Sequence, residues 1–331
     1  MRLKLLFITS DLSLLADPDS KMLTKVKEAL LKTGSVEEVF SPDTADALII
    51  QEKESYKDFR YIKSLQKDAF INEFASKVYT INRDDCATGL LRGLYTSLPK
   101  ARFDPAIHAS VPYMEYPNKL IFSQNLVDEP PFFLASWRGN TKSNKIRSEL
   151  IKSLKSNPEL QIEATDSWLN HQKEEKERYI QLIRHAKFSL CPAGWAPVSF
   201  RIYESMALGR CPVIIADEFV PPPGPNWNEF ALFYPQNKTD QLYSFLKEHE
   251  GSYSRLGQAA YQYWKEYFSP DVVAGYLANS LLKLLFTAPE TTRQHEIKRW
   301  NSFQVHWTNH WTLPQRIHLK VNKVFKMALP F

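Results

Sequence analysis

At 331 residues the chain is long enough for two domains, each with its own core. Its 44% hydrophobic and 24% charged residues exclude a disordered or collagen-like chain, and no apolar run of about 18 residues could span a bilayer. The net charge of +5 equals the excess of seven Lys and Arg over two acids between Phe286 and Phe331, so the remainder lacks the basic stripe of a nucleic-acid enzyme.

The start carries Arg2 and Lys4 in an apolar run, as a signal peptide does. The run is short, Asp11 follows closely, and no small-residue cleavage site comes after it, so Leu3–Thr9 is predicted as a strand. Ser20–Lys32 is predicted as a helix ended by Gly34, and Ala47–Ile50 as a buried strand. A charged helix over Tyr56–Phe74 precedes a strand over Lys77–Asn82, which runs into Arg83-Asp84-Asp85. About forty residues rich in Pro, Tyr and Arg follow with little periodicity, ending in a short strand predicted at Leu120–Ser123.

A second series starts near Pro130-Pro131. Predicted strands at Phe132–Trp137, Leu160–Ala164, Lys187–Cys191, Cys211–Ala216 and Ala231–Tyr234 alternate with helices at Ser143–Leu154, Lys173–His185 and Ser199–Leu208. Three helices follow, over Lys238–Glu248, Ser252–Tyr267 and Asp271–Phe286. Repeated strand–helix–strand units mean parallel sheets covered by helices. The expected organisation is an α/β chain of two Rossmann-like domains facing a cleft, 1–128 and 129–286, with a basic, aromatic tail over 287–331. Ligands in such sheets bind beyond the carboxyl ends of the strands.

The densest constellation is KFSLCPAGWAPVSFRIYESMALGRCPVIIADEFVPPPGPNW, from Lys187 to Trp227. A buried strand ends in a Pro192 and Gly194 turn, and a helix opens at Ser199. Its free N–H groups and dipole favour an anion such as phosphate. Arg201 adds a cation able to bind phosphate through two N–H groups, and Glu204 can accept hydrogen bonds from a diol such as a ribose. Together these suit a nucleotide-sugar. The plainer reading makes Ser199 an N-cap, with Arg201 and Glu204 solvated or paired to each other.

Within it, CPAGWAPVSFRIYESMALGRCPVIIAD resembles the core motif of exostosin-like glycosyltransferases, family 47. Phe132–Asn140 (FFLASWRGN) resembles that family's earlier F-x-x-R-G-N strand, and Val220–Trp227 its later loop, although Pro222-Pro223-Gly224 departs from the usual form. The resemblance implies a GT-B fold and inverting transfer of a sugar from a nucleotide-sugar, expected to be UDP-linked, to a glycan hydroxyl. Carried over by position, Arg138, Gly139, Ser199, Arg201 and Glu204 would be donor-binding residues. Arg138 and Arg201 would offset the charge of the departing diphosphate, with no cofactor and no metal.

Inversion also needs a base from the first domain. Asp85 and Asp11 lead the candidates, ahead of Glu52, Asp84 and His108, and a capping or loop role competes for each aspartate. Asp17-Pro18-Asp19 spells a metal–nucleotide motif but precedes a helix, so it reads as a turn with a cap. His306 and His310 have zinc-like spacing without a third ligand. Cys191 and Cys211 read as buried small hydrophobes, and three cysteines fit a reducing cytoplasm. Trp300, Trp307 and Trp311, together with the basic excess, give the tail two readings: packing on the body, or contact with anionic lipid at the inner membrane face. The expected function is therefore a cytoplasmic bacterial transferase of surface or extracellular polysaccharide synthesis, acting on a glycan or lipid-linked glycan and no nucleic acid. Its rivals are a fucosyltransferase-like enzyme using a GDP-sugar and a noncatalytic glycan-binding scaffold of the same fold.

Overall fold

The computed structural model describes residues 2–53, 59–124, 130–165 and 172–309. Six strands form a first parallel sheet: β1 (Leu3–Phe7), β2 (Val36–Glu38), β3 (Ala47–Gln51), β4 (Val78–Asn82), β5 (Arg92–Tyr95) and β6 (His108–Ser110). Their order is β2-β1-β3-β4-β5-β6. Five more form a second parallel sheet: β7 (Phe133–Asn140), β8 (Leu160–Thr165), β9 (Ala186–Pro192), β10 (Cys211–Ile215) and β11 (Leu232–Phe233), ordered β11-β10-β9-β7-β8. The first series carries helices α1 (Lys21–Lys32), α2 (Phe59–Lys67) and α3 (Ala69–Glu73). The second carries α4 (Lys145–Leu154), α5 (Lys173–Arg184), α6 (Phe200–Ala207), α7 (Leu242–His249) and α8 (Tyr253–Tyr263), the last continuing as a π-helical turn over Trp264–Phe268. α9 (Val273–Thr287), α10 (Arg293–Trp300) and α11 (Phe303–Asn309) close the described chain.

Local chemistry explains where the elements depart from expectation. The long helix expected over Tyr56–Phe74 breaks at Asp68, whose carboxylate accepts from Ile71 N at 2.9 Å and caps α3. The stretch without periodicity contains β5 and β6. Gly93 in β5 has φ +144°, and a Cβ there would stand 2.1 Å from Thr80 O on the neighbouring strand. A strand that needs glycine for close approach carries a weak sequence signal. Leu120–Ser123, predicted as a strand, lies in a 3-10 turn over Lys119–Ser123 that buries Ile121 with Tyr113 and Tyr116 in the second domain's core. Among the described residues it pairs with no strand of either sheet.

The chain returns to the first domain after the second sheet. Val273, Leu277, Leu281 and Leu284 of α9 share a core with Leu5, Val26 and Leu30, although the sequence groups this helix with residues 129–286. Contact with α1 draws it there: both helices present apolar stripes at helical spacing. The expected boundary at 128/129 and the tail beyond Asn309, with His310 and Trp311, lie outside the described residues.

The described part of the tail packs on the body. Trp300 is 1% exposed and shares a core with Leu6, Leu48, Leu65 and Ile71. Beside it the buried Glu296 accepts from Arg92 Nε at 3.2 Å and from Arg299 Nε at 3.0 Å. Arg92 also donates to Pro289 O at 2.7 Å, and Asn309 Nδ2 donates to Thr88 O at 3.1 Å. Trp300→Ala should therefore lower unfolding stability by about 3–5 kcal/mol with or without lipid, as read from urea melts. A variant as stable as wild type would show that this helix does not hold the fold. Phe303 and Trp307, stacked at 5.9 Å, remain exposed on α11.

Candidate functional site

The carboxyl end of the second sheet opens on a cleft lined by residues of β7, α5 and the start of α6. β9 is buried along most of its length, and the chain leaves it through Ala193 to Val198 before Ser199 caps α6. Ser199 Oγ accepts from Arg201 N at 3.4 Å. The plainer reading of Ser199 is thus met, and the cap also leaves the rest of the helix N-terminus turned to the cleft. All of α6 from Arg201 to Ala207 is buried, so its polar residues were placed inward by the fold.

Arg201 is 5% exposed. One of its terminal nitrogens donates to Arg138 O, and its guanidinium lies 4.5 Å from the centre of the Tyr179 ring. Its other terminal nitrogen, Nη1, is buried and has no protein partner. An unsatisfied buried cationic donor is costly, on the order of 1–3 kcal/mol or more. Beside it Glu204 accepts from Tyr179 OH. Burial pushes the Glu204 carboxyl up to about 7, against the hydrogen bond from Tyr179 and the charge of Arg201.

Arg138 lines the same cleft, but its charge is already engaged. It is paired with Glu163 and Glu175, and Glu163 is also paired with Arg178. Its backbone carbonyl, rather than its guanidinium, positions Arg201. Gly139 follows at the end of β7, where a Cβ would come within 3.1 Å of the Trp137 ring.

A residue absent from the sequence-based set completes the cation group. Arg147 lies in the first turn of α4, capped by Asn144. Its Nε donates to Ala193 O at 2.9 Å and Nη1 to Asn140 O at 3.1 Å. Burial, with the charge of Arg201, pulls it down to about 10. A Cβ on Gly194 would stand 2.8 Å from Arg147 Nη2, so the glycine leaves room for this side chain. The signal was available. Arg147 and Arg201 both occupy first turns after strands, where the helix dipole disfavours a cation unless carbonyls or an anion meet it.

Across the cleft stands Asp85, just beyond β4. Burial first, then the neighbouring Asp84, raises its carboxyl to about 6, against a hydrogen bond from Tyr113. The Tyr113 ring packs on Phe200 of α6 with centroids 4.0 Å apart, which ties the base candidate to the helix that carries Arg201. Asp85 and Arg147 line one cavity of about 480 Å3, with Ser199 and the exposed Trp195 on its wall.

Of the other candidate bases, Asp84 lines the first-domain side of Asp85, and the rest are not brought there. Asp11 is exposed in the turn after β1 and lines none of these cavities. His108 is enclosed against Tyr95 and Phe103, and burial pulls it down to about 3. Its Nδ1 accepts from Asp104 N at 3.0 Å, a structural role. Glu52 is buried in the first domain, accepting from Thr80 at 2.6 Å, from Asn82 at 2.8 Å and from Tyr61. Asp17 of the D-x-D accepts from Asp19 N at 3.0 Å, Gln51 at 2.8 Å and Arg83 at 2.9 Å, as a turn cap does.

Two parallel α/β domains around a cleft, with the last helices returning to the first, define a chain of the GT-B class. The chain belongs to the exostosin GT47 domain family, whose model matches residues 71–249. It is 35% identical over 102 residues to a "probable glucuronosyltransferase" of Oryza sativa subsp. japonica, covering 30% of this chain and 22% of that one. It is 39% identical over 70 residues to a "probable beta-1,4-xylosyltransferase" of Arabidopsis thaliana, covering 20% and 17%. The matched segment thus spans about a fifth of the length of these relatives. Among solved structures, T4 phage BGT in complex with its UDP-glucose substrate aligns over 86% of this chain and 99% of that one. The TM-score is 0.40 and the identity 11%.

Proposed function

We propose that the protein is an inverting glycosyltransferase that moves a sugar from a UDP-linked donor to a hydroxyl of a growing glycan, in the synthesis of a surface or extracellular polysaccharide. The observation that supports this most directly is the buried, unpartnered Nη1 of Arg201 at the N-terminus of α6. A diphosphate there would complete that donor and meet the helix dipole, with Arg147 as a second cation. Glu204 is placed one turn further in for a ribose diol.

In the reaction the acceptor oxygen forms a bond to the anomeric carbon as the bond from that carbon to the diphosphate breaks. The acceptor proton passes to Asp85, and the leaving charge is met by Arg201, Arg147 and the amide groups of α6. Arg138 supports this arrangement through its carbonyl. No step is assigned to a metal or a cofactor.

The wider reading keeps the expected cytoplasmic placement. Contact with anionic lipid would fall to exposed groups such as Lys298, Phe303 and Trp307.

Thermal shift with UDP, GDP, CMP and TDP tests the donor. At 100 times its Kd, UDP should add about 2.7 kcal/mol of apparent stability, and GDP less. A larger shift with GDP would favour the fucosyltransferase-like alternative. Transfer should persist in excess EDTA. Activity lost on chelation and restored by Mn²⁺ would return Asp17 and Asp19 to consideration.

A further inference from the structure

A second cavity, of about 420 Å3, opens on the first-domain side of Asp85. Its apolar wall is Met22, Met114 and Phe200. Its polar wall is acidic: Asp84, Asp85 and Glu115 line it, and the one cation among its lining residues, Arg83, is paired with Asp17 at 2.9 Å. Glu115 lies 3.8 Å from Lys25 at the surface, where the pair is half exposed and weak. Into the same cavity faces Thr96, 4% exposed, whose Oγ1 is buried without a protein partner.

The two sides of Asp85 therefore differ in sign. Toward α6 stand Arg147 and Arg201, suited to a diphosphate. Toward β4 and β5 stand carboxylates and an unsatisfied hydroxyl, suited to sugar hydroxyls and hostile to a second anion. The sulfur and aromatic side chains give the apolar face of a pyranose a surface to lie on.

We infer that this cavity is the acceptor subsite and that it takes a neutral sugar unit, held by Thr96 and the carboxylates, while rejecting an acceptor that carries a uronate at that position. The inference rests on the donor reading for the role of Asp85. Discrimination then resides in repulsion by Asp84 and Glu115 as much as in attraction by Thr96.

The test uses the full chain and neutral disaccharides of gluco, galacto, manno and xylo configuration. Each hexose disaccharide is matched with a counterpart whose terminal unit is a uronic acid. Binding is read by saturation-transfer NMR and calorimetry, with and without UDP. At least one neutral member should bind ten times more tightly than its acidic counterpart. Glu115→Gln together with Asp84→Asn should shrink that ratio severalfold, and Thr96→Val should weaken the neutral ligand severalfold while leaving the UDP thermal shift in place. Melting curves check that each variant is folded, and Glu115→Gln alone, at an exposed position, gives the same reading should the others unfold. An acidic member that binds as well as its neutral partner overturns the inference. So does failure of every neutral member to bind, or a ratio that the carboxamide variants leave unchanged. Failure of UDP to shift the melt is a different result: it overturns the donor reading, and disaccharide binding without nucleotide then decides the subsite by itself.

Discussion

Asp85→Asn should lower kcat for transfer by about 10²- to 10⁴-fold, the usual worth of a positioned general base, and leave UDP affinity within about twofold of wild type. The carboxamide keeps the size of the side chain and its contact with Tyr113 but cannot take a proton. The sign of the pH effect follows from the direction of the shift. Burial and the like charge of Asp84 hold Asp85 at about 6, so the basic form gives way to the acid as pH falls through that value. In wild type, with the donor saturating, kcat/KM for the acceptor should therefore decline tenfold per unit below about pH 6 and level off above it. Asp84→Asn removes a like charge, so the decline should move to lower pH, whatever the change in plateau height from altered acceptor binding. A pH–rate series on the three proteins checks this. Near-normal turnover by Asp85→Asn would remove Asp85 from the chemistry, and an acid limb unmoved in Asp84→Asn would assign that limb to another group.

The sequence carried the second domain more fully than the first. Its strands β9 and β10 are short, largely buried runs, and the helix opening at Ser199 has a capping residue and a glycine stop at Gly209, which adopts φ +65°. Such local signals survive without tertiary context. β2, β5 and β6 were hidden for the opposite reason. They are three or four residues long, and β5 depends on Gly93 lying against the backbone of Thr80, a contact between segments that periodicity cannot register. The return of α9 to the first sheet was likewise hidden, because an apolar stripe says that a helix is buried but not against which core. At the site, Arg201 and Glu204 were legible from helix spacing. That the guanidinium of Arg138 is taken up by Glu163 and Glu175 was not, since those residues come from β8 and α5 and meet it only in the fold. Asp85 and Asp11 follow strands in similar ways, and only the placement of Tyr113 and Phe200 separates them.

Arg201→Ala should weaken UDP binding by about 10- to 150-fold and take transfer below detection, because a charge-assisted contact to phosphate contributes about 1.5–3 kcal/mol and serves the leaving group as well. The fold should survive. The removed side chain has one terminal nitrogen without a protein partner, so part of what is lost is a desolvated charge that the apo protein carries at a cost. A second effect follows from Glu204. The charge of Arg201 pulls the Glu204 carboxyl down against burial, so its loss lets that carboxyl rise above about 7 and leaves it protonated at neutral pH. A protonated Glu204 accepts fewer hydrogen bonds, so UDP affinity in the variant should recover partly as pH rises from 7 to 9, whereas wild type changes little. Arg201→Lys separates charge from geometry: it restores the cation but not the planar fork that reaches both the Arg138 carbonyl and the cleft, and it should regain binding more than turnover. Calorimetry with UDP across pH, beside transfer assays and melting curves, reads all three. A folded Arg201→Ala protein that binds UDP and turns over as wild type does would show that the N-terminus of α6 is not the phosphate site.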